Sequence, residues 1–286
     1  MMTVRNLGGH SGCKILLCET SDSNVFVRKI SSDKKYNVRL KKQVEKQADF
    51  KGKTIRTPQI IQMGSTADGL FFFDMEYIRG ITLAQYMNTI QIGSIRTLVE
   101  DIIGEIMDMP TESKNTAENR EVFRRKIASL KSQLRNECLA SVHEALYILE
   151  RHDWSLFTKS FCHGDLTLEN IIVKDGQLYF IDFLDSFFDC WLLDVATLMQ
   201  DVQVMWSYRF QNEIDINTEI RLMLFRDILI DDVKQKSEKY VREIYYALLL
   251  KLIRIFPYTK DDITRRFLDD KTKLVIKTIK SLESMQ

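Results

Sequence analysis

Proline is scarce in this chain, with 3 in 286 residues. Few helix breakers, together with long amphipathic stretches, predict a helix-rich protein. Histidine is scarce as well: the 4 present are scattered. The 5 cysteines are Cys13, Cys18, Cys138, Cys162 and Cys190, and no pair has C-x-x-C spacing. A zinc site is therefore not expected. An odd cysteine count without a framework fits reduced thiols and a cytoplasmic location. Neither sign of charge dominates: 41 basic residues face 40 acidic ones, for a net charge of +1. That balance gives no reason to expect nucleic acid or an anionic membrane as partner. The opening Met1-Met2-Thr3-Val4-Arg5-Asn6 lacks the apolar core of a signal peptide. The longest apolar cluster, residues 245–256, is interrupted by Lys251 and Arg254 and is too short to span a bilayer. There is no internal repeat and no low-complexity tract.

What is present is an ordinary globular composition, 45% hydrophobic and 28% charged, with enough length for a large core. Residues 4 to about 80 look β-rich. Strands are expected at 14–18, 24–30 and 70–75. One helix interrupts them, with Tyr36, Leu40, Val44 and Ala48 as its apolar stripe and Ser32 or Asp33 as N-cap. After Gly80 the period becomes helical. Ser94 caps a stretch with Ile95, Leu98, Val99, Ile102, Ile103 and Ile106 on one face. Residues 111–120 are polar and read as an exposed loop with some helix at its end. Further helical segments are expected from 122 to 149, and near 190–205, 218–235, 237–256 and 262–283.

The chemistry concentrates in His163-Gly164-Asp165-Leu166-Thr167-Leu168-Glu169-Asn170, followed by Ile181-Asp182-Phe183. Between them, residues 171–180 read as two apolar strands around Asp175-Gly176, a short hairpin. The hairpin would bring Asp165, Asn170 and Asp182 to one end of a rigid element. Phosphoryl transfer from Mg-ATP needs such a set: a carboxylate that takes the acceptor's proton, and an amide oxygen and second carboxylate that hold the metal. Upstream, Gly8-Gly9-His10-Ser11-Gly12 is a glycine-rich segment whose amides could approach phosphates, with Gly9 and Gly12 as candidates. It is neither a Walker A motif nor G-x-G-x-x-G. A plain turn between strands is the competing reading.

The pattern HGDLTLEN followed by IDF resembles aminoglycoside phosphotransferases, choline kinases and fructosamine kinases. These relatives share the protein-kinase fold but phosphorylate small molecules. The resemblance runs from about Gly8 to Asp194, specific in its C-terminal half and loose in its N-terminal half. It implies an α+β, two-lobed fold, with residues 1–80 as a β-rich nucleotide-binding lobe and residues 81–286 as a helical catalytic and substrate-binding lobe. It also implies ATP and Mg²⁺ as cofactors and a small-molecule hydroxyl as acceptor, on a sugar, aminosugar or amino alcohol.

Residue roles follow from the same resemblance. Asp165 is the catalytic base, and Asn170 and Asp182 are the metal ligands. His163 and Asp194 support the catalytic loop. The base that grips the phosphates comes from Val25-Phe26-Val27-Arg28-Lys29. Strand alternation turns Arg28 and Lys29 to opposite faces, so only one points inward. Lys29 is favoured, with Glu45 as its carboxylate partner and Asp49 as second choice, whereas a direct alignment with Val-Ala-Ile-Lys selects Arg28. Glu76 and Ile78 belong to the expected hinge, where backbone groups would meet an adenine edge. Asp185, Trp206 and Tyr208 are candidates for contact with the acceptor. Two rival readings stay open: a small atypical protein kinase, and a pseudokinase that binds nucleotide without turnover. The short distance from Asp182 to Asp194 leaves little room for a peptide platform.

Overall fold

A computed structural model describes residues 3–7, 12–108, 111, 116–211 and 213–284. The chain forms two compact units. The first comprises Met1–Leu83 together with Asn170–Asp185, and the second Ala84–Glu169 together with Ser186–Gln286.

The first unit is built on strands β1 (Thr3–Asn6), β2 (Lys14–Glu19), β3 (Val25–Ile30), β4 (Ile60–Ser65) and β5 (Phe71–Glu76), with helix α1 (Asn37–Asp49) between β3 and β4. They form an antiparallel sheet in the order β1-β2-β3-β5-β4. Leu40 and Val44 of α1 pack against Phe71 and Phe73 of β5. The helix starts later than the sequence reading implies. Asp33 caps the preceding turn instead, its Oδ1 accepting the Lys35 and Tyr36 N–H groups at 2.7 and 2.9 Å. The buried stripe is Leu40, Gln43, Val44 and Gln47, and Ala48 is exposed.

A second, three-stranded sheet completes this unit. It joins β6 (Ile81–Thr82), β7 (Ile171–Lys174) and β8 (Gln177–Phe180) in that order. The β7–β8 turn has φ of 49° at Asp175 and 78° at Gly176, the twin positive angles that a two-residue hairpin turn favours. The sequence reading places 170–180 with residues 81–286. In the structure this segment groups with the first unit, because β7 pairs with β6 and β8 is bonded to Arg56, whose N–H and C=O bridge Leu178 and Phe180. Phe50 closes the junction, with its ring 5.5 Å from Phe180 and 5.6 Å from Phe183.

The second unit is helical. It holds α2 (Leu83–Tyr86, its first residue belonging to the first unit), α3 (Ile95–Met107), α4 (Thr116–Gln133), α5 (Ala140–Arg151), α6 (Trp191–Val202), α7 (Ile216–Lys236), α8 (Glu238–Ile255) and α9 (Asp262–Ser284). Every residue of α6 is buried. It lies against α3, α7 and α8. A helix apolar all round belongs in the centre of a large core. Its polar exceptions, Asp194, Thr197, Gln200 and Asp201, are therefore informative. Among the described residues no helix is long and apolar enough to cross a membrane.

Candidate active site

Strand β3 separates the two basic candidates as alternation requires. Lys29 is 3% exposed and extends along the face that carries buried Val27. Its Nζ donates to Gln43 Oε1 at 3.3 Å and forms an ion pair with Asp182. Arg28 turns to the other face and grips Asp74 through two 2.7 Å hydrogen bonds, with its guanidinium 4.3 Å over Phe72. The expected partner Glu45 does not meet Lys29. Glu45 is exposed, as is Asp49, because both lie off the 40-43-44-47 stripe that faces the sheet. Gln43 occupies the inward position. Its amide oxygen faces Lys29, and its Nε2 donates to the Tyr36 hydroxyl at 3.1 Å.

Asn170 and Asp182 are brought together by the hairpin. Asn170 precedes β7 and Asp182 follows β8. The Ile181 N–H donates to the Asn170 carbonyl at 3.0 Å, so the two ends are tied. Asp182 has φ of 60°, left-handed backbone that few non-glycine residues adopt and that aspartate tolerates better than most. Just beyond it, Lys46 of α1 donates to the Leu184 carbonyl at 3.0 Å and Arg39 to the Asp185 carbonyl at 3.2 Å. Asp185 is thus anchored by its backbone. Gly12 has φ of 77° just before β2, whereas Gly9 lies outside the described residues. Glu76 ends β5, with its N–H donated to Gln59 at 2.8 Å. Ile78 is buried, and its carbonyl accepts the Gly80 N–H at 3.0 Å.

In the helical unit, α6 holds the loop 163–168 from beneath. Asp194, 2% exposed, accepts the His163 N–H at 2.5 Å and the Gly164 N–H at 2.8 Å. Gly164 has φ of 92°, so a side chain there would be strained. His163 is buried, and its Nδ1 accepts the Asp165 N–H at 3.2 Å. The Asp165 carbonyl takes the Thr167 N–H at 2.9 Å. These bonds define the backbone on which the Asp165 carboxylate sits. Tyr208 is 3% exposed, and its hydroxyl donates to the Ala84 carbonyl at 2.7 Å. Trp206 is half-buried under the Arg209 guanidinium at 4.0 Å.

Three residues escaped sequence reasoning, and each left a signal. Gln43 is a polar residue on an apolar stripe. Lys251 interrupts the apolar run of α8. It is buried, and its ammonium is pushed below its ordinary pKa by burial first and by Arg254 next, while Asp165 and Asp194 pull the other way. Asp201 stands two helical turns after Asp194 and is fully buried. Its Oδ2 accepts the Leu168 N–H at 2.6 Å, and its Oδ1 accepts the Ser207 N–H at 2.9 Å and hydroxyl at 2.7 Å. Two carboxylates from one helix therefore hold both ends of the loop 163–168.

Burial raises the Asp201 pKa from 3.8 to about 6, against the lowering effect of its hydrogen bonds. A carboxyl whose folded pKa lies above its unfolded value contributes stability that is complete below the unfolded pKa. That contribution is lost as pH rises through the folded value. Thermal stability is expected to decline between pH of about 4 and about 6 through this group. Melting curves of wild type and Asp201→Asn across that window test it. An identical pH slope in both proteins contradicts the assignment.

Comparison with known proteins follows this geometry. The model of the phosphotransferase enzyme family matches residues 8–222. No curated protein sequence matches the chain. Among solved structures, a thermostable mutant of aminoglycoside phosphotransferase APH(4)-Ia superposes with a TM-score of 0.62 at 11% identity, covering 96% of this chain and 94% of that one. A ternary complex of an APH(4)-Ia mutant with ADP and hygromycin B gives 0.62 at 11%, with 96% and 93% covered. A putative fructosamine-3-kinase from Thermobifida fusca YX-ER1 gives 0.59 at 15% identity, with 96% and 93% covered. At these identities the likeness establishes the fold, an α+β architecture with a small antiparallel-sheet unit and a larger helical one. The family match spans most of the chain, and by it this protein belongs to the phosphotransferase enzyme family.

Proposed function

We propose that the protein transfers the γ-phosphoryl group of Mg-ATP to a hydroxyl of a small molecule, such as a sugar, aminosugar or amino alcohol. The observation that carries this reading is the loop 163–168, whose backbone is pinned by two buried carboxylates so that Asp165 is presented from a fixed frame. Family membership and a structural neighbour captured with ADP and hygromycin B support it. In this reading residues 1–80 serve the nucleotide and residues 81–286 supply catalysis and acceptor binding.

Asp165 orients the acceptor hydroxyl and takes its proton as the oxygen attacks phosphorus. Lys29 holds phosphate oxygens as a compact charge, with Gln43 keeping its side chain extended. Gly9 and Gly12 offer backbone N–H groups to phosphates. The backbone at Glu76 and Ile78 meets the adenine edge. His163 and Asp194 keep the loop in shape. Asp185 and Trp206 remain on the acceptor side of the reading, and Tyr208 contributes its ring edge, since its hydroxyl is spent on Ala84.

The donor set suits a hard cation: one carboxylate from Asp182 and one amide oxygen from Asn170, tied to each other through Ile181. Among the described residues there is no cluster of three or more His, Cys, Asp or Glu that could hold a metal by itself. A Mg²⁺ that takes its remaining ligands from phosphate and water fits these two oxygens. When bound it would neutralise phosphate charge. Lys29 now pairs with Asp182 and would exchange that partner for phosphate oxygens.

One expected result separates the two basic residues of β3. Lys29→Ala should lower kcat/KM for ATP several-fold or more, whereas Arg28→Ala should leave it nearly unchanged. Arg28→Ala should instead cost about 3 kcal/mol of stability, because Asp74, 1% exposed, is left without its cation. Steady-state kinetics and denaturant titrations on both variants check this. The reverse pattern would give Arg28 the phosphate role.

The functional reading itself is tested by incubating the protein with γ-labelled ATP, Mg²⁺ and, separately, small hydroxyl compounds and casein. Label should move to a small molecule and leave casein blank. Stoichiometric labelling of casein would favour a protein kinase. ATP binding with no transfer to any acceptor would favour the pseudokinase reading.

A further inference from the structure

Beside the short 3-10 turn Trp206–Tyr208, wholly within the helical unit, lies a cavity of about 470 Å³. Its wall includes Met205, Tyr208, Arg209, Glu219, Phe267 and Lys271. Two of these are cations withdrawn from water. Arg209 is half-buried and held rigidly: its guanidinium lies 4.0 Å over Trp206 and 4.4 Å over Phe210, and Nη1 donates to the Trp206 carbonyl at 2.9 Å. Its Nε is buried and, among the described residues, has no hydrogen-bond partner. Native structures leave few such donors, and a charged one is the costliest to leave unmade. Lys271 is half-buried against Phe267, 5.3 Å from the ring centre. Among the described residues neither cation forms an ion pair.

Burial lowers the pKa of both groups. The carboxylates of Glu169, Asp201 and Asp261 oppose that effect at Arg209, and those of Asp270 and Glu219 oppose it at Lys271. These acids act through space without pairing. Glu213, also in the lining, is exposed to solvent and needs no counterion. Glu219 is the one half-buried carboxylate in the wall, so the cations Arg209 and Lys271 outnumber the withdrawn acids there. A planar guanidinium fixed on an aromatic face in a cavity wall is the group best matched to a carboxylate or phosphate.

The cavity is also wired to the chemistry. Asp201 takes the Leu168 N–H of the catalytic loop on one oxygen and the Ser207 N–H and hydroxyl on the other. Ser207 lies in the turn that forms the cavity wall. Met205, with φ of 64°, starts that turn in left-handed backbone, its N–H held by the Asp201 carbonyl at 2.8 Å. One residue thus ties the loop bearing Asp165 to the wall bearing Arg209.

We infer that this cavity seats the acceptor by an oxyanion, a carboxylate or phosphate on a hydroxylated small molecule, with Arg209 as the main anchor and Lys271 as the second. The inference rests on the phosphotransferase reading and narrows its substrate to acidic compounds. An aminosugar would meet like charge at Arg209 and Lys271, with Glu219 the one half-buried carboxylate in the wall to offset it.

Calorimetry on the full chain tests it, with gluconate and glucose 6-phosphate as carboxylate and phosphate probes and glucose and glucosamine as neutral and cationic counterparts. At least one acidic probe should bind about ten-fold or more tightly than its counterparts, and Arg209→Gln should weaken it by about ten-fold or more. Arg209→Lys should recover part of the loss, since charge returns without the fork. Which acidic probe binds tells carboxylate from phosphate. Should Arg209→Gln melt early, Lys271→Gln reads the same site. Equal binding of glucose or glucosamine, acidic probes indifferent to the Arg209 and Lys271 variants, or no binding of either acidic probe would overturn the inference. If acidic probes bind as expected while no acceptor consumes ATP, the site stands and the phosphotransferase reading fails.

Discussion

Asp165→Asn is expected to reduce kcat by roughly 100-fold or more while leaving nucleotide affinity almost unchanged. The substitution keeps size and polarity and removes the proton acceptor. The frame should survive, because it does not depend on the Asp165 carboxylate: the loop is held through the N–H groups of His163, Gly164 and Leu168 by Asp194 and Asp201. The loss should therefore fall on the chemical step. Rapid-quench measurement of the first turnover, with a parallel nucleotide titration, separates the two. An unaltered kcat would remove Asp165 from the mechanism.

Asp182→Ala is expected to abolish the Mg²⁺-dependent part of nucleotide binding, a loss of roughly ten-fold or more, and to be more damaging than Asn170→Ala. The asymmetry has an electrostatic origin, since Asp182 brings a full negative charge and Asn170 only a dipole. The variant also strips Lys29 of its ion-pair partner and leaves it with Gln43 alone. Nucleotide titrations with and without Mg²⁺ read the effect. Equal Mg²⁺ dependence in wild type and variant would show that Asp182 does not hold the metal.

Legibility in the sequence followed the local physics. The β7–β8 hairpin was readable because Asp175-Gly176 is a strong turn signal between apolar runs. Most long helices of the second unit were readable because they bury an apolar stripe, or in α6 the whole helix. Strands β1 and β4 were not anticipated. β4 is an edge strand with Ile61 and Met63 exposed, and its pairing with β5 slips between Ile60 and Gln62, so no clean alternation betrays it. The helix at 116–133 takes in the end of the 111–120 stretch, where some helix is expected, and its first turn buries Asn119 but no large apolar side chain, which leaves its start without a clear signal.

At the site, alternation along β3 indicated that Arg28 and Lys29 diverge. It could not identify their partners, which depend on tertiary placement. Glu45 was a reasonable candidate by charge, yet the rotation of α1 is set by Leu40 and Val44, and that rotation presents Gln43. Asp201 and Lys251 were hidden for a related reason. A charged residue within an apolar helix is visible in sequence, but whether it is an interruption or a buried tie becomes clear only when its hydrogen bonds are seen.

The central claim is transfer of the ATP γ-phosphoryl group to a small-molecule hydroxyl. Phosphorus-31 NMR of the protein with Mg-ATP and a mixture of hydroxylated acids, sugars and amino alcohols tests it most directly. The expected result is a new phosphate monoester resonance that grows in step with ADP and is absent with Asp165→Asn. Formation of ADP with inorganic phosphate alone, or a monoester that persists in that variant, would contradict the account.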